Sequence, residues 1–236
     1  MSAFPATPTL VDLSWPVRPG MPMFPGDPPM ELRPMGELCT QGYRSHLAVL
    51  PAHSGTHIDA PAHVLPEGLL LAELPLARFT GAAVVIDLRA RPGLAVTEAD
   101  LAPHMAALAG STPGFAILRT GDEERFGHAE YYTKGAHLTP GAAELLAALP
   151  RWSAPGQGLP GIGLSGIGLD AASPDPLSAV DLPAHKALLG AGVLVIENLR
   201  GLAALPEHGF TLLCLPVLGA DGSPVRAAAL LPGDDA

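Results

Sequence analysis

The sequence predicts a single α/β domain, and three features carry that prediction. Short runs of β-branched residues and leucine, continuous rather than alternating, recur along the chain as strands buried on both faces do. Helix signals fall between those runs, so strands and helices alternate. Gly and Pro, 27 of each in 236 residues, punctuate short elements and build no central linker. Apolar residues make up 48 % of the chain, too many for that Gly and Pro content to signal disorder.

The elements follow in order. The first forty residues form a Pro-rich segment within the one domain 1–236, with a strand at 10–13 and otherwise extended loop. Further strands are expected at 46–51, 82–88, 115–119, 161–164, 193–197, 210–215 and 226–231. Thr97-Glu98-Ala99-Asp100 resembles a capping box with Asp in place of Glu, opening a helix that Gly110 can end. Thr139-Pro140 places an N-cap before a proline at the first helical position and leads into a helix over 142–149. A shorter helix over 184–189 closes at Gly190.

Composition narrows the function classes. Thirteen Lys and Arg against 23 Asp and Glu give a formal charge of −10. With no basic run to track phosphates, neither nucleic acid nor an anionic membrane is an expected partner. Cys39 and Cys214 are far apart and form no paired motif, which removes a disulfide framework or a Cys-rich zinc site. The charge-free stretch 152–169 has 18 residues of which eight are Gly or Pro, so it is no membrane span. The first fifteen residues show no basic-then-apolar leader pattern, and the expectation is a cytoplasmic protein. Few charges and a mean hydropathy of +0.30 point to surface buried between subunits, as in a homodimer or larger assembly.

Gly161, Gly163 and Gly166 spell a G-x-G-x-x-G. A dinucleotide fingerprint needs a strand before it and a helix opening after it. Here a Gly/Pro-rich loop precedes, and Ala171-Ala172-Ser173-Pro174 leaves no room for the helix. A glycine-rich strand packed closely on its neighbours is the better reading.

Chemistry concentrates elsewhere. His53-Ser54-Gly55-Thr56-His57-Ile58-Asp59-Ala60-Pro61-Ala62-His63 places three imidazoles and a carboxylate in eleven residues. These are ligands that divalent zinc, manganese or iron prefer. A straight strand would leave His53 and His57 about 13 Å apart, too far to share an ion. A helix through all of them is blocked by Pro61 and discouraged by Gly55. The chain must therefore curl at Ser54-Gly55-Thr56, folding His53 back toward His57 and Asp59. Such crowding needs a metal or a dense hydrogen-bond network to justify it.

This string resembles the signature of the metal-dependent cyclase family of hydrolases, which includes bacterial kynurenine formamidases. Phe24-Pro25-Gly26-Asp27-Pro28, Leu118-Arg119-Thr120-Gly121, Gly168 to Asp175, and His185 to Gly190 leading to Glu197-Asn198-Leu199 resemble further family blocks in the family's order. The resemblance implies an α/β domain around a mixed, barrel-like sheet, assembled as a dimer or larger. It also implies two divalent ions per subunit, zinc first, with manganese or iron(II) open. His53, His57 and Asp59 would hold one ion and Asp59, His185 and Glu197 the other. His63 would carry the proton, and Phe24 would form the aromatic wall where the family pattern often has Trp.

Considered alone, Glu197 reads as a solvated strand-end carboxylate and His185 as an exposed residue early in a helix. Yet the reversal at Gly190-Ala191-Gly192 can return the chain so that Glu197 comes level with His185. Asp170, Ser173 and Asp175 could orient ligands or serve ordinary turn chemistry. Gly163-Leu164-Ser165-Gly166-Ile167 misses the G-x-S-x-G elbow by one residue, so a serine hydrolase finds no support. The expected function is a small-molecule arylformamidase of tryptophan degradation, cleaving N-formylkynurenine to kynurenine and formate. Two alternatives stand beside it: a hydrolase of another cyclic or linear amide, imide or lactone, and a metal- or ligand-binding protein without turnover.

Overall fold

In the computed structural model, which describes residues 9–111, 114–149 and 164–233, the chain opens with strand β1 (Thr9–Asp12). It then leaves the main sheet as a hairpin of β2 (Glu31–Gly36) and β3 (Ser45–Val49), with the single-turn helix α1 (Leu38–Gln41) at its tip. Strands β4 (His57–Asp59) and β5 (Thr80–Asp87) follow, then β6 (Ala95–Val96) and helix α2 (Glu98–Ser111). Next come β7 (Phe115–Arg119), α3 (Ala129–Thr133), β8 (His137–Leu138) and α4 (Pro140–Ala147). The C-terminal part holds β9 (Gly166–Leu169), α5 (Pro183–Gly190), β10 (Leu194–Glu197), β11 (Phe210–Leu213), β12 (Gly222–Pro224) and β13 (Ala228–Leu231).

Nine strands join in one sheet, ordered β1-β13-β11-β5-β7-β9-β10-β4-β12. Its centre, β5-β7-β9-β10, is parallel, and both flanks are antiparallel. The sheet curls into a half-barrel. The mixed, barrel-like expectation is therefore met by an open sheet. The central strands are buried on both sides, as their continuous apolar sequences require. Ala116, Leu118, Ile167 and Val195 pack with helices α2, α4 and α5. Their neighbours Phe115, Ile117, Leu194 and Ile196 fill the inside of the curl with Leu13, Ile58 and Phe210.

Local signals place the helices well. Thr97 N donates to Asp100 Oδ2 at 2.8 Å, and Asp100 N reaches Thr97 Oγ1 at 3.4 Å, so the Asp-for-Glu capping box forms. Thr139 Oγ1 accepts from Ala142 N at 3.1 Å with Pro140 in the first turn. Two strand readings need correction. Residues 31–36, read as loop, form β2 although Pro34 lies within it. The hairpin is a two-stranded ribbon with a register shift between Pro34 and Gly36, where a missing ladder donor is tolerated. The strand expected at 161–164 falls on residues of which 161–163 lie outside the described residues; the strand described nearby is β9, from Gly166. Strands β4 and β12, three residues each, carry too little pattern to announce themselves.

Gly166 and Gly168 explain why glycine recurs there. A Cβ on Gly166 would lie 2.9 Å from Leu194 O, and one on Gly168 would lie 2.6 Å from Leu199 Cδ1. No helix opens directly after β9; the next, α5, begins only at Pro183. Among the described residues, no helix is long and apolar enough to cross a membrane.

Candidate metal centre

Ligands of open α/β sheets gather at the carboxyl ends of parallel strands, and β10 ends on Glu197. Strand β4 runs antiparallel beside it with His57 opposite Glu197 and Asp59 opposite Val195. The two-residue period of a strand puts His57 and Asp59 on one face. Register then adds Glu197 to that face. His57 Nε2 lies 3.2 Å from Glu197 Oε2 and 3.3 Å from Asp59 Oδ1.

The curl before β4 supplies His53. Gly55 sits at φ +59°, a left-handed conformation that favours glycine. Beyond it His53 Nδ1 reaches within 2.7 Å of Asp59 Oδ1. Gly55 O anchors the bend by accepting from His57 Nδ1 at 2.8 Å and from Asn198 Nδ2 at 3.0 Å. Asn198 is itself at φ +57°, a conformation Asn tolerates better than most residues. Its Oδ1 accepts from the buried Tyr131 hydroxyl at 2.7 Å. This clamp between the histidine loop and β10 was invisible in the sequence, because neither Tyr131 nor Asn198 is a ligand type.

Helix α5 brings the last histidine. Asp175 Oδ1 and Oδ2 accept from Ala184 N and His185 N at 2.8 and 3.0 Å, satisfying two free donors at the helix start. Asp175 Oδ2 also accepts from His185 Nδ1 at 2.7 Å. That contact turns Nε2 inward, 3.2 Å from Glu197 Oε1 and 3.6 Å from Asp59 Oδ2. Asp175 therefore orients a histidine, one of its two sequence readings. Asp170 does something else: it accepts from Thr120 N and Gly121 N, tying β9 to the loop after β7.

Burial decides the character of the cluster. Asp59, His57, His185 and Glu197 are 0–5 % exposed, which overturns the solvent-exposed readings of Glu197 and His185. Burial alone would lower the His57 pKa, but the Asp59 and Glu197 carboxylates raise it well above the ordinary imidazole value. Burial and the charge of Asp59 would both raise the Glu197 carboxyl, and the contacts with His185 and His57 hold it below the usual carboxylate range. Two buried carboxylates so close together demand positive charge between them. One atom remains unserved. Asp59 Oδ2 is buried without a hydrogen-bond partner among the described residues, a costly state for a carboxylate oxygen.

The donor set fits a divalent cation. His53, His57 and Asp59 form one convergent group and Asp59, His185 and Glu197 another, the atoms of each within 4.8 Å of one another. Asp59 belongs to both, and a cation held by these residues would supply the positive charge that its buried carboxylate lacks. His63 follows β4 on a 3₁₀ turn over Pro61–His63. Its ring centroid lies 4.1 Å from that of His53, the two planes tilted by 36°, and 5.5 Å from that of His185. Burial lowers its pKa below the ordinary imidazole value.

These residues floor a cavity of about 290 Å³ whose walls include Phe24, Phe126, Tyr132 and Leu182. Phe24 is carried by a tight turn in which Asp27 N donates to Phe24 O at 3.0 Å, with Gly26 at φ +103°. Its ring meets Tyr132 edge-on at 5.9 Å. The sequence reading found Phe24 but missed Phe126 and Tyr132, which lie just before and within the short helix α3, a segment that carries no chemical motif. It also missed Asp221, which lies 3.2 Å from His53 Nε2.

Fold and site together define a metal-hydrolase-like half-barrel, and the chain belongs to the family described as putative cyclase, whose model matches residues 11–176. It is similar over nearly its whole length to two kynurenine formamidases. That of Paracidovorax citrulli is 34 % identical over 228 residues, 94 % of this chain and 97 % of the relative. That of Salinibacter ruber is 31 % identical over 222 residues, 92 % of this chain and 95 % of the relative. Isatin hydrolase A from Labrenzia aggregata shares the fold at a TM-score of 0.79 and 24 % identity, over 95 % of this chain and 94 % of that one.

Proposed function

We propose that the protein is a divalent-metal-dependent amide hydrolase acting on an aryl formamide, with N-formylkynurenine as substrate and kynurenine and formate as products. One observation carries the reading: the orphaned Asp59 Oδ2 sits among convergent nitrogen and oxygen donors on the floor of an aromatic-walled cavity. The similarity to kynurenine formamidases at 34 and 31 % identity supports the substrate class. His53, His57 and Asp59 would hold one ion and Asp59, His185 and Glu197 a second, with zinc favoured and manganese or iron(II) suited to the same donors. When bound, such an ion polarises an amide carbonyl and acidifies a water.

The chain's own residues do the rest. His63, kept neutral near pH 7 by its burial, takes a proton from the attacking water and returns it to the departing nitrogen as the C–N bond breaks. Phe24, Phe126 and Tyr132 enclose an aryl ring. The cavity is small, at the lower end for ligand sites, which suits one substituted ring. Hydrolysis of N-formylkynurenine by zinc-loaded protein, followed by formate release, tests the proposal; no turnover would reject it.

We also infer a cytoplasmic homodimer. Cys39 and Cys214 are both free thiols, in keeping with a reducing compartment. The β2–β3 hairpin exposes Leu32, Met35, Leu38, Tyr43, Leu47 and Val49, an apolar surface that a second copy of the chain would cover.

A further inference from the structure

Each of the three clustered histidines turns one ring nitrogen toward the Asp59–Glu197 carboxylates and the other toward an outer acceptor. For His57 the outer acceptor is Gly55 O at 2.8 Å, and for His185 it is Asp175 Oδ2 at 2.7 Å. For His53 it is Asp221 Oδ2, 3.2 Å from Nε2, while Nδ1 faces Asp59. The same Asp221 oxygen lies 3.6 Å from His63 Nδ1. A single carboxylate thus touches both a candidate ligand and the candidate proton carrier, which come from opposite ends of the histidine string.

The backbone places Asp221 there firmly. Asp221 O accepts from Ala60 N at 2.8 Å, and the next residue, Gly222, is in register with Asp59 across β12 and β4. A Cβ on Gly222 would stand 2.3 Å from His53 Cε1 and 2.6 Å from its Nε2, so a side chain there would displace the His53 ring. Before it, Ala220 O accepts from Leu71 N at 2.9 Å. Ser223 Oγ accepts from Val217 N and Leu218 N, both at 3.0 Å, closing the loop that presents Asp221.

We propose that Asp221 is a positioning residue: its carboxylate accepts from His53 Nε2, leaving Nδ1 as the inward, unprotonated ligand nitrogen, and holds the Nδ1 edge of His63 in the cavity. The inference rests on the metal-dependent reading above and deepens it. Outer carboxylates of this kind fix ring orientation and tautomer, and losing one typically costs roughly 10–100-fold in metal affinity. The Asp221 side chain is 45 % exposed, so replacing it leaves the core packed.

The test measures Zn²⁺ affinity by competition with a chromogenic chelator for wild type, Asp221→Ala, Asp221→Asn and His57→Ala, with folding checked by circular dichroism. Asp221→Ala should bind Zn²⁺ about 10–100-fold more weakly. Asp221→Asn, which keeps an acceptor oxygen, should recover most of that loss. In steady-state assays Asp221→Ala should lower kcat with KM nearly unchanged, because the cavity walls are untouched. Wild-type affinity in Asp221→Ala, or an Asn variant no better than Ala, overturns the assignment when His57→Ala has lost Zn²⁺. If His57→Ala also binds like wild type, the metal reading itself fails.

Discussion

Glu197 Oε1 lies 3.2 Å from His185 Nε2, across the reversal that joins helix α5 to strand β10. Neither residue is close in sequence to the His53–His63 string, yet both meet Asp59. Glu197→Ala should therefore lower bound metal, from two ions toward one, and leave the fold intact. Elemental analysis of metal-supplemented protein reads this. Metal content equal to wild type would return Glu197 to a structural role.

His63 separates proton transfer from metal binding. His63→Ala should retain metal and lose about 10²–10⁴-fold in kcat. Burial lowers the His63 pKa, so the imidazole is neutral, and able to accept a proton, down to a pH below its ordinary 6.5. Activity of the wild type should hold at neutral pH and fall as acidification protonates His63. The variant's pH–rate profile should lack that contribution. Loss of metal in the variant would make His63 a ligand, and near-normal turnover would make it a bystander.

Phe24 tests the aromatic wall. Its ring is 39 % exposed at the mouth of the cavity, and stacking there acts on substrate and transition state alike. Phe24→Ala should raise KM several-fold for aryl formamides and change kcat little. Steady-state kinetics over two or three aryl formamides check it; an unchanged KM removes Phe24 from the pocket.

The hairpin tests assembly. Leu47→Asp and Met35→Asp place charge on exposed apolar positions of β2 and β3 without touching the main core. Sedimentation velocity should show wild type as a dimer and these variants shifted toward monomer. A monomeric wild type, or variants that stay dimeric, would count against the hairpin as the interface.

The sequence carried the site further than it carried the edges of the sheet, and the reason is physical. His53, His57, Asp59 and His63 announce themselves because four ligand-type side chains in eleven residues are hard to justify otherwise. The central strands are legible because burial on both faces forces continuous apolar runs such as Phe115–Arg119. Strands β4 and β12 are three residues long, and their pairing depends on partners far away in the chain. Tyr132, on the short helix α3, and Phe126, just before it, reach the cavity through tertiary packing alone. Asp221 follows the same rule: Ala220-Asp221-Gly222-Ser223 reads as a turn, and only the packing of Gly222 against His53 reveals where its carboxylate goes.

The most direct test of the central claim is the rate of N-formylkynurenine hydrolysis by one preparation measured as purified, after chelator stripping, and after zinc is restored. Formate release is expected in the first state, loss of at least about two orders of magnitude in the second, and recovery in the third. Equal rates in the stripped and reloaded protein, or no hydrolysis in any state, would contradict that claim.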